Sequence, residues 1–76
     1  MEYFERLREQ REDLDITQKE AANEIKVSQS YYSKQERGEK PFQVEQIRKL
    51  CKMYKVSADY ILGLPKGLSW PREPKE

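Results

Sequence analysis

The stretch TQKEAANEIKVSQSYYSKQERG, from Thr17 to Gly38, decides the fold of this 76-residue chain. Thr17 is a favourable N-cap, and Glu20 follows it three residues later, a capping-box pattern that predicts a helix over about 18–25. Ser28 is a second N-cap, and the glycine that closes the stretch is a typical helix stop, so a further helix is predicted between them. Because the turn between these helices is so short, we expect them to cross sharply rather than to form an antiparallel hairpin.

Apolar side chains at helical spacing predict two longer helices, one on each side of this stretch. The first, over about 2–13, is marked by Tyr3, Phe4, Leu7 and Leu14, with Arg11 at the same three-to-four spacing. The fourth, over about 43–54, is marked by Val44, Ile47, Leu50, Cys51 and Tyr54. Ser57 is an N-cap for a short fifth helix over about 58–62, which Gly63 ends.

The helical pattern occupies residues 1–64, and no alternating run typical of a β-strand appears. We therefore predict an all-α fold, a compact five-helix bundle formed by one domain. The segment GLPKGLSWPREPKE is rich in proline and glycine, so residues 65–76 are predicted to form an irregular C-terminal tail. Trp70 in this tail is expected to contact the domain or a partner, since exposed aromatic surface is unfavourable.

The composition argues against catalysis and against a metal or cofactor. The chain has no histidine and a single cysteine, so His-based triads, His-ligated metals and CxxC sites are excluded. Its glycines form neither a dinucleotide-binding nor a P-loop motif. No apolar window is long enough to span a membrane, and the N-terminus lacks the order of a signal peptide. We expect a cytoplasmic protein that is not an enzyme.

Charge is distributed unevenly, although the net charge is only +1. Residues 1–25 hold four basic and eight acidic side chains, whereas residues 26–62 hold eight basic and four acidic ones. Such a split suits a molecule with one side facing phosphate and the other facing solvent. A chance arrangement of surface charges is the alternative.

The helix predicted over 28–37 is rich in serine, glutamine, tyrosine and lysine, which is a poor composition for a buried helix. On a helical wheel Val27 and Tyr32 point inward, with Glu36 one turn after Tyr32. The outward side carries Gln29, Ser30, Ser33, Lys34 and Arg37. Amides and hydroxyls can hydrogen-bond to base edges in the major groove, which admits an α-helix. Basic side chains suited to phosphates follow at Lys34, Arg37 and Lys40.

Taken together, TQKEAANEIKVSQSYYSKQERGEK and the later VSADYILGL resemble the Cro/cI-repressor-like (Xre-type) helix-turn-helix family. The resemblance covers about residues 4–64. It implies a lambda-repressor-like DNA-binding domain whose third helix enters the major groove. It also implies a homodimer on a two-fold symmetric operator of double-stranded DNA.

The resemblance assigns roles to particular positions. Gln18, which begins the second helix, is implied to contact a phosphate. The implied base readers are Gln29, Ser30 and Lys34. Further side chains close to the DNA are Ser28, Tyr31, Ser33, Arg37 and Lys40. Arg11 is implied to form a structural ion pair with Glu36, which would tie the first helix to the end of the third.

The chain departs from the family pattern at five positions. Gln35 stands where the family usually has an apolar side chain, so this corner is expected to be looser or hydrogen-bonded. Lys26 and Lys55 stand where residues tolerant of a left-handed backbone are common. Gln10 replaces a frequent leucine, and Cys51 a frequent alanine. These departures concern the core and remove no expected DNA contact.

A sequence-specific DNA-binding transcriptional regulator, acting as a repressor by occupancy, is the function we expect. The alternative is a protein-interaction module, such as an Xre-like antitoxin or controller protein whose DNA binding is autoregulatory. Its partner would bind the C-terminal tail and the side chains Leu64, Leu68 and Trp70. RNA binding is less favoured, because neither an aromatic stacking sheet nor a GXXG loop appears.

Overall fold

The computed structural model describes residues 1–64, and five α-helices form there without any strand in that range. They are α1 (Tyr3–Asp13), α2 (Gln18–Glu24), α3 (Gln29–Glu36), α4 (Val44–Tyr54) and α5 (Ala58–Leu62). The all-α, five-helix prediction is confirmed, and every helix end lies within one residue of its predicted position. The predicted irregular tail, with Leu68 and Trp70, lies outside the described residues.

Side-chain caps fix the starts of α2, α3 and α5. Thr17 Oγ1 accepts a hydrogen bond from the backbone N–H of Glu20 at 3.1 Å, and Glu20 Oε1 accepts one from the N–H of Thr17 at 3.0 Å. Ser28 Oγ caps α3 by accepting from the N–H of Tyr31 at 3.1 Å. Ser57 caps α5 in the same way. A cap of this kind contributes about 1 kcal/mol to helix stability.

Left-handed backbone ends several of these helices. Lys26 and Lys55 have φ values of 60° and 56°, so both residues adopt the conformation that was expected at these family positions. Each costs roughly 1 kcal/mol relative to glycine. Gly38 has φ of 81°, and a Cβ atom there would lie 2.6 Å from Cζ of Phe4. Only glycine satisfies both conditions, so the end of α3 is fixed against α1.

The core lies where all five helices meet, and its apolar members are Leu7, Ala21, Ala22, Ile25, Tyr32, Phe42, Ile47, Leu50, Cys51, Tyr54 and Ile61. Ala21 and Ala22 are almost fully buried, and their small side chains let α2 approach its neighbours closely.

Two apolar residues that marked the predicted helices do not contribute to this core. Leu14 is 49% exposed because it follows the last turn of α1, and Val44 is 83% exposed because it begins α4 before that helix reaches the core at Ile47. No helix formed by residues 1–64 has the length and apolar character needed to cross a membrane.

Candidate nucleic-acid interface

The third helix has one buried and one exposed face. Its buried side chains are Tyr32, Gln35 and Glu36, each no more than 2% exposed. The side chains placed on its exposed side are Ser28, Gln29, Ser30, Tyr31, Lys34 and Arg37. Ser33 is half-buried, and Val27 packs against the core. Of the sequence-predicted contact residues of this helix, all but Ser33 are therefore exposed.

A buried tyrosine pair holds the inner face of α3 against α4. The hydroxyl oxygens of Tyr32 and Tyr54 lie 3.2 Å apart, and the ring of Phe42 packs edge-on against Tyr32. Burial raises the pKa of Tyr54 to about 12 and that of Tyr32 further, so both hydroxyls stay neutral. This contact fixes the orientation of α3, and with it the direction in which its outer face points.

A second buried contact joins α1 to the last residue of α3. Arg11 Nε donates to Glu36 Oε2 at 2.6 Å, and a second guanidinium nitrogen donates to the carbonyl oxygen of Ile16 at 2.8 Å. The Glu36 side chain is 2% exposed and that of Arg11 is 12% exposed. Burial alone would raise the pKa of Glu36, but hydrogen bonds from Arg11 and Gln18 and the positive charge of Arg11 outweigh it, so this pKa lies below its ordinary value.

Gln18, the expected phosphate contact, also binds this carboxylate. Its Nε2 atom donates to Glu36 Oε1 at 3.0 Å, so the side chain is anchored within the protein. An amide nitrogen carries two hydrogens, and this bond uses one of them. The other hydrogen and the amide oxygen are available to a further partner. No local sequence pattern indicates this contact, because the two residues are 18 positions apart.

Arg37 hydrogen-bonds both to Ser33 and to Glu39, an acidic neighbour that was not among the predicted site residues. Arg37 Nε donates to Glu39 Oε2 at 2.6 Å, and a terminal guanidinium nitrogen donates to Ser33 Oγ at 2.7 Å. The hydrogen bond from Arg37, together with its charge, lowers the pKa of Glu39. Arg37 is consequently paired with a carboxylate on the surface where a phosphate contact was expected.

Lys40 lies in the loop between α3 and α4, residues 37–43, called here the α3–α4 loop. Lys40 and Lys34 both carry exposed side chains. Their backbones are linked, because the carbonyl oxygen of Lys34 accepts from the N–H of Glu39 at 2.9 Å and from that of Lys40 at 3.4 Å. The loop therefore starts as a tight extension of α3 and keeps its lysine near the end of that helix.

Comparison with protein families decides the affiliation of this fold. The sequence model of the Helix-turn-helix family matches residues 7–61, which include all of α2, α3 and α4. The chain belongs to the Cro/cI-like (Xre-type) helix-turn-helix family. In this family member, α2 and α3 form the two-helix motif, with α3 as its second helix.

One curated relative is similar over most of this helix-turn-helix chain. It is the HTH-type transcriptional regulator ImmR of Bacillus subtilis (strain 168), which is 36% identical over 63 residues. The aligned region is 83% of this chain and 50% of the relative, so the chain spans about half the length of the protein it matches. No solved structure is a significant match.

Residues 1–64 contain no group of three or more histidine, cysteine or acidic side chains arranged to hold a metal ion. Cys51 is buried on α4, and that burial raises the pKa of its thiol. A protonated, buried thiol behaves as a small apolar side chain, and its packing role agrees with the alanine common at this family position.

Proposed function

We propose that this helix-turn-helix protein is a transcriptional regulator that binds double-stranded DNA sequence-specifically and represses by occupying its site. The observation that carries the proposal is the two-sided character of α3. Its inner face is immobilised by Tyr32, Gln35 and Glu36, which are almost fully buried, while Gln29 and Lys34 lie exposed on the other side. A rigid helix with an exposed face of hydrogen-bonding groups is what major-groove reading requires.

Some of these side chains would contact the bases, and others would contact the DNA backbone. Gln29, the first residue of α3, has an amide that can bind adenine in a bidentate arrangement, with its nitrogen donating to N7 and its oxygen accepting from the N6 amino group. Ser30 and Lys34 supply a hydroxyl and an ammonium group beside it. Lys40 on the α3–α4 loop and Gln18 at the start of α2 would contact phosphates, which position the helix without reading sequence.

The proposal includes a homodimer on a two-fold symmetric operator. In this arrangement each α3 enters one of two successive major grooves about 34 Å apart on the same side of the duplex. The two half-sites would then be related by inversion, with their centres about 10 base pairs apart.

Binding-site selection with sequencing tests this function directly. The purified protein is incubated with a pool of random duplexes, and the bound molecules are amplified and sequenced over several rounds. We expect a palindromic consensus with half-sites separated by about one helical turn. If the protein is shown to be folded and the pool still remains random after selection, sequence-specific binding is refuted.

A second candidate function is that of a protein-interaction module, and an apolar groove between α4 and α5 favours it. The groove is lined mainly by Val44, Ile47, Cys51, Ala58 and Leu62. Val44 and Leu62 are 83% and 48% exposed, which leaves apolar surface open on the face that these helices share. A gel shift with the purified protein and the selection pool separates the two functions, because a module that depends on a partner would not retain DNA alone.

A further inference from the structure

Gln35 is a buried polar side chain on the inner face of α3, and it reaches the α3–α4 loop. It is 1% exposed. Its Nε2 atom donates to the carbonyl oxygen of Pro41 at 3.0 Å and to Oε1 of Gln46 at 2.9 Å. Its Oε1 atom is buried, and no donor among residues 1–64 lies within hydrogen-bond distance of it. One amide thus combines two well-formed donated bonds with an unpaired acceptor.

The surrounding groups fix the orientation of this amide. Both neighbours of Nε2 are acceptors, since one is a backbone carbonyl and the other is the oxygen of Gln46. That Gln46 oxygen also accepts from the N–H of Gln43 at 2.9 Å, so it cannot be exchanged for an amide nitrogen without opposing two donors. Turning the Gln35 amide by about 180° would place its oxygen against the Pro41 carbonyl and Gln46 Oε1, which are both acceptors. The unpaired atom is therefore Oε1.

These bonds attach the second half of the α3–α4 loop to the body of the domain. Gln35 holds the carbonyl of Pro41 directly and holds the N–H of Gln43 through Gln46. Between these two points, the N–H of Phe42 donates to the hydroxyl of Tyr3 at 3.1 Å. Lys40 immediately precedes Pro41, so it lies between two attachment points: its own N–H donates to the carbonyl of Lys34, and the carbonyl of the next residue accepts from Gln35.

Stability alone does not favour glutamine at this position. A buried unpaired acceptor opposes folding, and an apolar side chain of similar length would bury the same volume without one. The two acceptors bonded by Gln35, the Pro41 carbonyl and Gln46 Oε1, do not need this side chain in order to be hydrogen-bonded. Pro41 is an exposed residue, and Gln46 is only half-buried and retains its bond from Gln43. The distinctive contribution of the amide is the connection from α3 to the loop.

We propose that Gln35 is a positioning residue, whose two donated hydrogen bonds hold the α3–α4 loop against α3 so that Lys40 is presented to the DNA backbone. This inference rests on the proposed function only as far as Lys40 is taken to contact phosphate. The positioning itself is a property of the free protein. An apolar residue at this position would have no side-chain donor to offer.

The positioning is tested without DNA by amide hydrogen exchange of the wild type and Gln35→Met. Methionine keeps the length of the side chain and removes both hydrogen bonds. We expect exchange at the N–H groups of Phe42 and Gln43 to accelerate at least about tenfold, with the thermal midpoint equal to or above that of the wild type. Cys51→Ala is the matched control, since Cys51 is buried on α4 and makes none of the loop's hydrogen bonds. Unchanged exchange at both amides in Gln35→Met overturns the proposal.

The effect on binding is tested with a random-sequence duplex of about 30 base pairs, because a phosphate contact is independent of sequence. Gln35→Met is expected to weaken binding about three- to tenfold, and Lys40→Ala by a similar factor. The double variant should bind within about twofold of Lys40→Ala, since both changes would remove one contact. Loss factors that multiply in the double variant overturn the link to Lys40. If the wild type binds no duplex while the two amides exchange faster in Gln35→Met, the proposed function fails and the positioning stands.

Discussion

Gln18 Nε2 lies 3.0 Å from Glu36 Oε1, so the first residue of α2 and the last residue of α3 are joined by a hydrogen bond inside the helix-turn-helix. Arg11 binds the same carboxylate from α1. A single buried acidic group therefore fixes three helices relative to one another. The relative orientation of α2 and α3, on which any approach to DNA depends, rests on this polar contact as well as on the apolar core.

Removing the arginine of this contact should destabilise the domain strongly. Arg11→Met leaves the carboxylate of Glu36 buried without its positively charged partner, and breaking one side of a buried pair costs about 3 kcal/mol or more. Urea unfolding at neutral pH measures the loss. Arg48→Met is the matched control, because Arg48 pairs with Glu45 on the exposed side of α4, and a surface pair contributes little. Equal stability of the two variants would contradict the structural role given to Arg11.

The same carboxylate should make stability depend on pH. The pKa of Glu36 is lower in the folded protein than its ordinary value, so the unfolded chain binds more protons than the folded one across the interval between the two values. Its contribution is complete above the ordinary range of glutamate, about pH 4.3, and is lost as pH falls through the folded pKa. Unfolding free energies from pH 7 to pH 3 should therefore fall more steeply for the wild type than for Glu36→Gln. If the unfolding free energies of the wild type and Glu36→Gln change equally with pH, Glu36 does not contribute to the pH dependence of stability.

Glu39 should weaken binding to any DNA sequence. Its carboxylate pairs with Arg37 and lies near Lys34 and Lys40, two lysines that the proposal directs at the DNA. Glu39→Gln removes a negative charge and releases Arg37, so affinity for random and selected duplexes should rise by a similar factor, about two- to tenfold, with a steeper salt dependence. Asp13→Asn makes the same change of charge at the end of α1 and should have a smaller effect. An unchanged affinity in Glu39→Gln would place this pair outside the interface.

Local signals in the sequence predicted most of the fold. Thr17, Ser28 and Ser57 cap the helices they were expected to cap, because a cap depends only on residues within one turn. The inward position of Tyr32 followed from helical periodicity in the same way. Val44 begins α4, the helix that it marked, but it is exposed, because periodicity identifies a face of a helix and not where along its length the core begins.

The polar partnerships of the site were less predictable. The resemblance implied the pairing of Arg11 with Glu36, but it did not indicate that Gln18 binds the same carboxylate. Gln35 was expected to be either loose or hydrogen-bonded, and the choice depends on Pro41 and Gln46, which approach it only in the folded chain. Side-chain contacts between helices depend on rotamers and crossing geometry, for which a sequence pattern carries no direct signal.

Base reading by the outer face of α3 is tested most directly through Gln29. Wild type, Gln29→Ala and Lys40→Ala are titrated against the selected duplex, its single base-pair variants and a scrambled duplex. Gln29→Ala should lose about 1–3 kcal/mol of discrimination at one base pair and retain its affinity for scrambled DNA. Lys40→Ala should weaken binding to all duplexes alike and reduce the salt dependence. If Gln29→Ala instead loses the same binding free energy on the selected and the scrambled duplex, α3 does not read bases through this residue.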